Sequence, residues 1–112
     1  MRIWRPEEKE LIAALYSAVG AAACCPDLDG LRVNDMADGG MGSIRAANHV
    51  QGRHLGTEVA KATYIDVDDV LVSIVVNADQ DGSFFELDLW KVDFSSLKRY
   101  PNPDNISIES RL

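Results

Sequence analysis

The sequence lacks any apolar run near the roughly 18 residues that a bilayer-spanning helix needs. Its N-terminus has no apolar stretch of secretory type behind Arg2 and Arg5. The small apolar stretch from Leu11 to Cys25 follows Glu7, Glu8, Lys9 and Glu10, which marks it as a helix and not a leader. The expected compartment is therefore the cytoplasm, with no membrane partner. Cysteine is nearly absent, and the two present, Cys24 and Cys25, are neighbours. Adjacent cysteines can bridge only through a strained ring, so two free thiols are expected. They have no further cysteine or histidine nearby to complete a zinc site.

Histidine is equally scarce. His49 and His54 lie five apart in a polar segment, without the glutamate of a metalloprotease helix. No serine sits in a nucleophile elbow. The sequence thus offers no catalytic residue, metal-ligand set or cofactor motif. Positive charge is also in deficit, with 11 Lys and Arg against 18 Asp and Glu, a net charge of -7. A nucleic-acid binder needs a basic face to displace counterions from phosphates, and an anionic membrane surface makes the same demand. Both classes are excluded. A basic protein partner fits, because complementary fields speed encounter.

What is present reads as one α+β domain over residues 1–112. Pro6 suits the first helical position, and Glu7, Glu8 and Glu10 favour the positive end of a helix dipole. Leu11, Ile12, Leu15, Tyr16 and Val19 recur at helical spacing. The expected helix covers residues 6–19, with Gly20 as its stop. Strands are expected over 31–36, 41–47, 58–65, 70–76 and 84–92, and an irregular tail over 95–112, where Pro101 and Pro103 oppose regular structure. The fold predicted is an N-terminal helix on one face of a curved, mainly antiparallel sheet of about five strands, arranged as a meander.

Side-chain alternation sorts the faces. Pairing Val76 with Ser83 puts Val70, Val72 and Ile74 beside Phe85, Leu87 and Leu89, a coherent core face. Leu31 near Ala46 and Val33 near Ile44 continue it. Ala60, Ala62 and Tyr64 join only if the connection to the next strand is odd in length or carries a bulge, since a one-residue slip would bury Lys61. The other face then carries Arg45, Lys61, Leu71, Phe84, Glu86, Asp88 and Trp90. That is less polar than a solvated face normally is. Two covers for it present themselves: the tail, through Phe94, Leu97, Tyr100 and Ile106, or a partner.

Two turns invite a chemical reading. Residues 77–82, Asn-Ala-Asp-Gln-Asp-Gly, carry oxygen side chains at positions one, three and five and glycine at six, in the order of a calcium loop. Asp88 stands where a bidentate glutamate is usual, and the flanks are strands, so a hairpin turn accounts for the segment. Residues 38–42, Asp-Gly-Gly-Met-Gly, lack the lysine of a phosphate loop and precede a strand, so they too read as a hairpin.

The acids are the more distinctive feature. Asp66, Asp68, Asp69, Asp79, Asp81, Glu86, Asp88 and Asp93 have only Lys91 among them as a counter-charge. Phe84 and Trp90 interleave with Glu86 and Asp88 on one strand face. Acids beside rigid aromatics suit an anchor surface for a basic partner. The expected partner-binding residues are Phe84, Glu86, Asp88, Trp90, Asp79 and Asp81.

The segments Asn-Asp-Met-Ala-Asp-Gly-Gly-Met-Gly-Ser-Ile at 34–44 and Asp-Gln-Asp-Gly-Ser-Phe-Phe-Glu-Leu-Asp-Leu-Trp-Lys-Val-Asp-Phe at 79–94 resemble a small bacterial family known only as a domain of unknown function. The resemblance covers about residues 6–101 and implies kinship without chemistry. In size and charge the chain is also similar to immunity proteins, which neutralise toxins of competing cells. The expected function is non-enzymatic protein binding, with toxin neutralisation as its most concrete form and a homo-oligomer as a further option. The alternative is a small-molecule or metal-ion binder, or a small enzyme, using residues 48–58 and nearby acids.

Overall fold

The computed structural model describes residues 1–47 and 55–111. Helix α1 (Pro6–Ala18) opens on Pro6, whose missing N–H costs nothing at that position. Glu8 reaches back to accept the Arg5 backbone N–H at 2.8 Å, satisfying one of the otherwise orphaned donors at the helix start. The same buried carboxylate takes both terminal nitrogens of Arg2 at 2.8 Å. Arg2 also pairs with Asp35, at 2.8 Å through its Nη2, and holds that carboxyl below the usual aspartate range. Leu11, Ile12, Leu15 and Tyr16 form the buried stripe. Gly20, at φ +73, ends the helix in the left-handed region that favours glycine.

Six strands follow, all paired antiparallel: β1 (Val33–Asp35), β2 (Ile44–Ala46), β3 (Leu55–Ile65), β4 (Leu71–Asp79), β5 (Phe84–Lys91) and β6 (Ser107–Arg111). They lie in the order β1-β2-β5-β4-β3-β6 in one open sheet. The expected meander holds only for β3, β4 and β5. The β1–β2 hairpin docks on the free edge of β5, and the expected irregular tail supplies the sixth strand on β3. Pro101 lies outside regular structure, but Pro103 opens a short 3-10 turn (Pro103–Asn105), and both precede the alternating segment 106–109. Among the described residues, no helix is long and apolar enough to cross a membrane.

The pairing registers differ from the expected ones by even numbers. Val33 faces Ala46, and Val76 faces Leu87. An even shift leaves every side chain on its own face. The core therefore gathers Leu15, Val33, Ile44, Val72, Ile74, Val76, Leu87 and Leu89 as one cluster under α1. Ile65 faces Leu71, so the β3–β4 connection has an odd five residues, and Ala60, Ala62 and Tyr64 are buried as that parity requires.

Phe84 departs from the expected pattern. Glu86 pairs with Asn77 and Phe84 with Ala78, leaving Phe85 as an extra residue in β5. The bulge turns Phe84 to the core, where it is 3% exposed and its ring lies 5.2 Å from that of Trp4. Phe85 takes the outer side, under the Arg45 guanidinium at 5.1 Å.

Lys91 also points inward and is 0% exposed. Its ammonium lies 2.9 Å from Asp66, 2.6 Å from Asp68 and 3.2 Å from the Ser96 carbonyl. Burial opposes its charge, but the hydrogen bonds to Asp68 and Asp66 outweigh that cost and hold it above the ordinary lysine value. Asp66 accepts the Lys98 backbone N–H at 2.8 Å, and the Tyr64 hydroxyl donates to the Arg99 carbonyl at 2.7 Å. Phe94, at φ +65, reverses the chain into this knot. Leu97, Tyr100 and Ile106 then pack on the core cluster, and the turn Pro103–Asn105 touches α1.

The two neighbouring phenylalanines test this facing. Phe84→Ala is expected to cost about 3–5 kcal/mol in denaturant unfolding, as a large core truncation does. Phe85→Ala is expected to cost about 1 kcal/mol or less, the scale of an exposed cation–π contact. The reverse order would contradict the bulge.

Candidate functional site

The outer sheet face is the one opposite α1. The tail packs with the helix, so Leu97, Tyr100 and Ile106 do not cover this face. Its register is fixed by the pairs Arg45–Glu86, Glu86–Asn77, Asp88–Val75, Trp90–Ser73 and Leu71–Ile65. At one end Ile65, Leu71, Trp90, Val92 and Phe94 are all exposed. Val92 donates its N–H to the Leu71 carbonyl at 3.0 Å, which continues the row Ile65–Leu71 across the sheet. Trp90 is 48% exposed and Phe94 68%. Their rings meet edge to face at 4.8 Å, an arrangement that aromatic quadrupoles favour.

Next to this strip lies a polar cluster. Arg45 Nη2 pairs with Glu86 Oε2 at 2.9 Å. The Asn77 amide donates to Glu86 Oε1 at 3.4 Å and to Asp88 Oδ2 at 3.1 Å. Burial and a hydrogen bond with Glu86, together with the charge of Glu86, push the Asp88 carboxyl up to about 7, against the pull of Arg45 and Asn77. A carboxyl placed beside a second carboxyl and taken out of water favours its neutral form, so Asp88 titrates close to neutral pH.

A groove of about 600 Å³ adjoins Asp88. One side is the turn between β1 and β2, held by Asp38, whose carboxylate accepts the backbone N–H of Met41 at 3.1 Å and of Ser43 at 2.8 Å. The Ser43 hydroxyl accepts from the Leu89 N–H at 2.9 Å and so seats this turn against β5. The other side is Trp90 and Phe94.

The six expected partner-binding residues separate. Glu86, Asp88 and Trp90 share the outer face. Phe84 belongs to the core, because the bulge reverses its direction. Asp79 is buried at the end of β4, and its carboxylate accepts the N–H groups of Asp81 and Ser83 at 2.9 and 3.0 Å. The calcium-like segment is therefore turn chemistry, with Asn77 drawn into the sheet. Asp81 is exposed in the turn before β5, and Trp90 stands a further six strand steps, roughly 20 Å, beyond Phe84. Asn77, Arg45 and Phe94 complete the site. Arg45 was on the right face in the sequence pattern, but only the docking of β2 on β5 pairs it with Glu86. Cys24 and Cys25 are free thiols, and burial pushes Cys25 up. His49 and His54 lie outside the described residues.

The family described as Domain of unknown function (DUF6984) matches residues 1–101. The chain belongs to this family. The match includes α1, β1 to β5 and the whole of the outer-face cluster, and stops before β6. Comparison with curated proteins and with solved structures finds no significant match. Membership in DUF6984 brings no assigned chemistry, so the site stands on its own geometry.

The raised Asp88 carboxyl has a thermodynamic signature. A carboxyl that titrates higher when folded binds more protons in the native state between its ordinary value of 3.8 and about 7. Its contribution to stability is full below 3.8 and is lost as pH rises through about 7. Asp88→Asn removes that loss. Thermal melts are expected to show the variant matching wild type near pH 4 and exceeding it by a few degrees at pH 8. A variant less stable than wild type at pH 8 would contradict this environment.

Proposed function

We propose that this chain is a non-enzymatic protein-interaction domain that holds a basic protein partner on its outer sheet face. What supports the reading is one observation: the exposed Trp90–Phe94 pair, continuous with Ile65, Leu71 and Val92, beside the Glu86–Asp88 cluster. Apolar strips of this kind, rimmed by polar groups, mark interaction surfaces. Trp90 acts as the anchor, since buried aromatics carry most interface energy. Glu86, Asp88 and the net charge of -7 steer a basic partner and set the salt dependence of association. Neutralisation of a partner toxin is the most concrete form such binding would take, with the acidic face laid over a basic active surface.

The test is comparative capture from the native host, using the wild-type chain and the Trp90→Ala, Phe94→Ala double variant, each first shown to be folded. A protein retained by wild type and lost with the double variant is then measured in solution. The double variant is expected to bind about thirtyfold more weakly or worse, the scale of an aromatic hot spot. Glu86→Lys is expected to slow association and to flatten its salt dependence. Equal affinity of wild type and double variant for every captured protein would eliminate this face.

A further inference from the structure

The groove beside Trp90 is chemically specific in a way the flat strip is not. Its apolar lining includes Met36, Met41, Trp90 and Phe94, and it also contains two carboxyl groups, Asp38 and Asp88. The two acids differ. Both oxygens of Asp38 are occupied by backbone N–H groups of its own turn. Asp88 forms no ion pair among the described residues, because the nearby cation, Arg45, is bound to Glu86. Among the described residues, the neutral Asn77 amide donates to it at 3.1 Å. Asp88 is therefore the acid here that lacks a cation, and it adjoins an indole.

We propose that this groove receives an arginine side chain of the basic partner, its guanidinium resting against Trp90 and pairing with Asp88. The inference rests on the function proposed above and names the group that the face recognises. A guanidinium is the matching chemistry for three reasons. Its flat faces stack on an indole, its N–H fork fits a carboxylate, and it is weakly hydrated enough to leave water. The methionines suit the apolar stem of the side chain.

A proton is linked to this event. Glu86 faces Asp88 from the same strand, Asn77 from β4, Arg45 from β2, and Asp38 lines the opposite side of the groove. In the free chain the Asp88 carboxyl, raised to about 7 by burial and by its neighbour Glu86, holds a proton through part of the neutral range. An arriving guanidinium favours the carboxylate, so binding expels that proton and tightens as pH rises.

The probe is N-acetyl-arginine methylamide, with the neutral isostere N-acetyl-citrulline methylamide as control, each titrated into the full chain and followed by NMR. The arginine compound is expected to shift the Trp90 indole N–H signal and the amides of residues 38–43 with a millimolar Kd, and citrulline is expected to shift neither. Between pH 8 and pH 5.5 the affinity should fall at least tenfold. Asp88→Asn should abolish the preference for arginine over citrulline while its melting temperature shows it folded. Trp90→Phe, which keeps an aromatic surface, should weaken binding less than Trp90→Ala. Equal binding of the two compounds, a pH-independent Kd, or retention of the arginine preference in Asp88→Asn would overturn the proposal. The outcome is separate from that of the docking face. A groove indifferent to arginine removes this inference, and only a partner indifferent to Trp90 and Phe94 removes the face.

Discussion

The course of the chain after β5 depends on one buried ammonium. Lys91 sits among apolar groups, which is costly for a charge unless it is fully paired. Asp66 and Asp68 come from the β3–β4 turn, and the Ser96 carbonyl comes from the segment beyond β5. Satisfying Lys91 therefore draws three separate pieces of chain to one point. Asp66 completes the knot by holding the Lys98 N–H, and burial of this aspartate is outweighed by its backbone and lysine partners, which keep it below its ordinary value. The ionised forms of both partners are favoured, so the pair is intact across the neutral range.

The direction of the tail follows. Once residues 96–98 are tied to the inner side of the sheet, Leu97, Tyr100 and Ile106 have only the core and α1 to pack on. β6 then pairs with β3 and not across the outer face. Trp90 and Phe94 remain outside, one residue before Lys91 and three after it. The two sides of β5 thus divide the work: Lys91, Leu89 and Leu87 hold the fold together, while Trp90, Asp88 and Glu86 are presented outward. The N-terminal segment is tied down in a comparable way by Arg2, which joins it to the start of α1 through Glu8 and to β1 through Asp35.

Much of this was legible in the residues, and the rest was hidden for identifiable reasons. The α1 stripe of Leu11, Ile12, Leu15 and Tyr16 follows from spacing alone. Facing survived errors in register, because Val33 and Val76 moved by even steps. The odd β3–β4 connection was required by the need to keep Lys61 out of the core. Phe84 was misplaced because strict alternation cannot foresee a bulge, and Phe84-Phe85 offers two equivalent rings. Sheet order was hidden because the residues between β2 and β3 carry no signal for where a hairpin docks. Lys91 was visible as the lone counter-charge among eight acids, but its burial depends on strands distant in sequence. Phe94 read as a cover for the outer face and is instead part of the surface.

Partner binding requires an outer face that is open, and the two tryptophans report on it directly. Trp4 is 1% exposed in the core, and Trp90 is 48% exposed on that face. Acrylamide quenching of fluorescence in two single-tryptophan variants, Trp90→Phe and Trp4→Phe, separates them. Trp90, alone in Trp4→Phe, is expected to be quenched nearly as readily as free indole, while Trp4 in Trp90→Phe is expected to be strongly protected. Protection of Trp90 equal to that of Trp4, in a folded protein, would mean that the face is covered and closed to a partner.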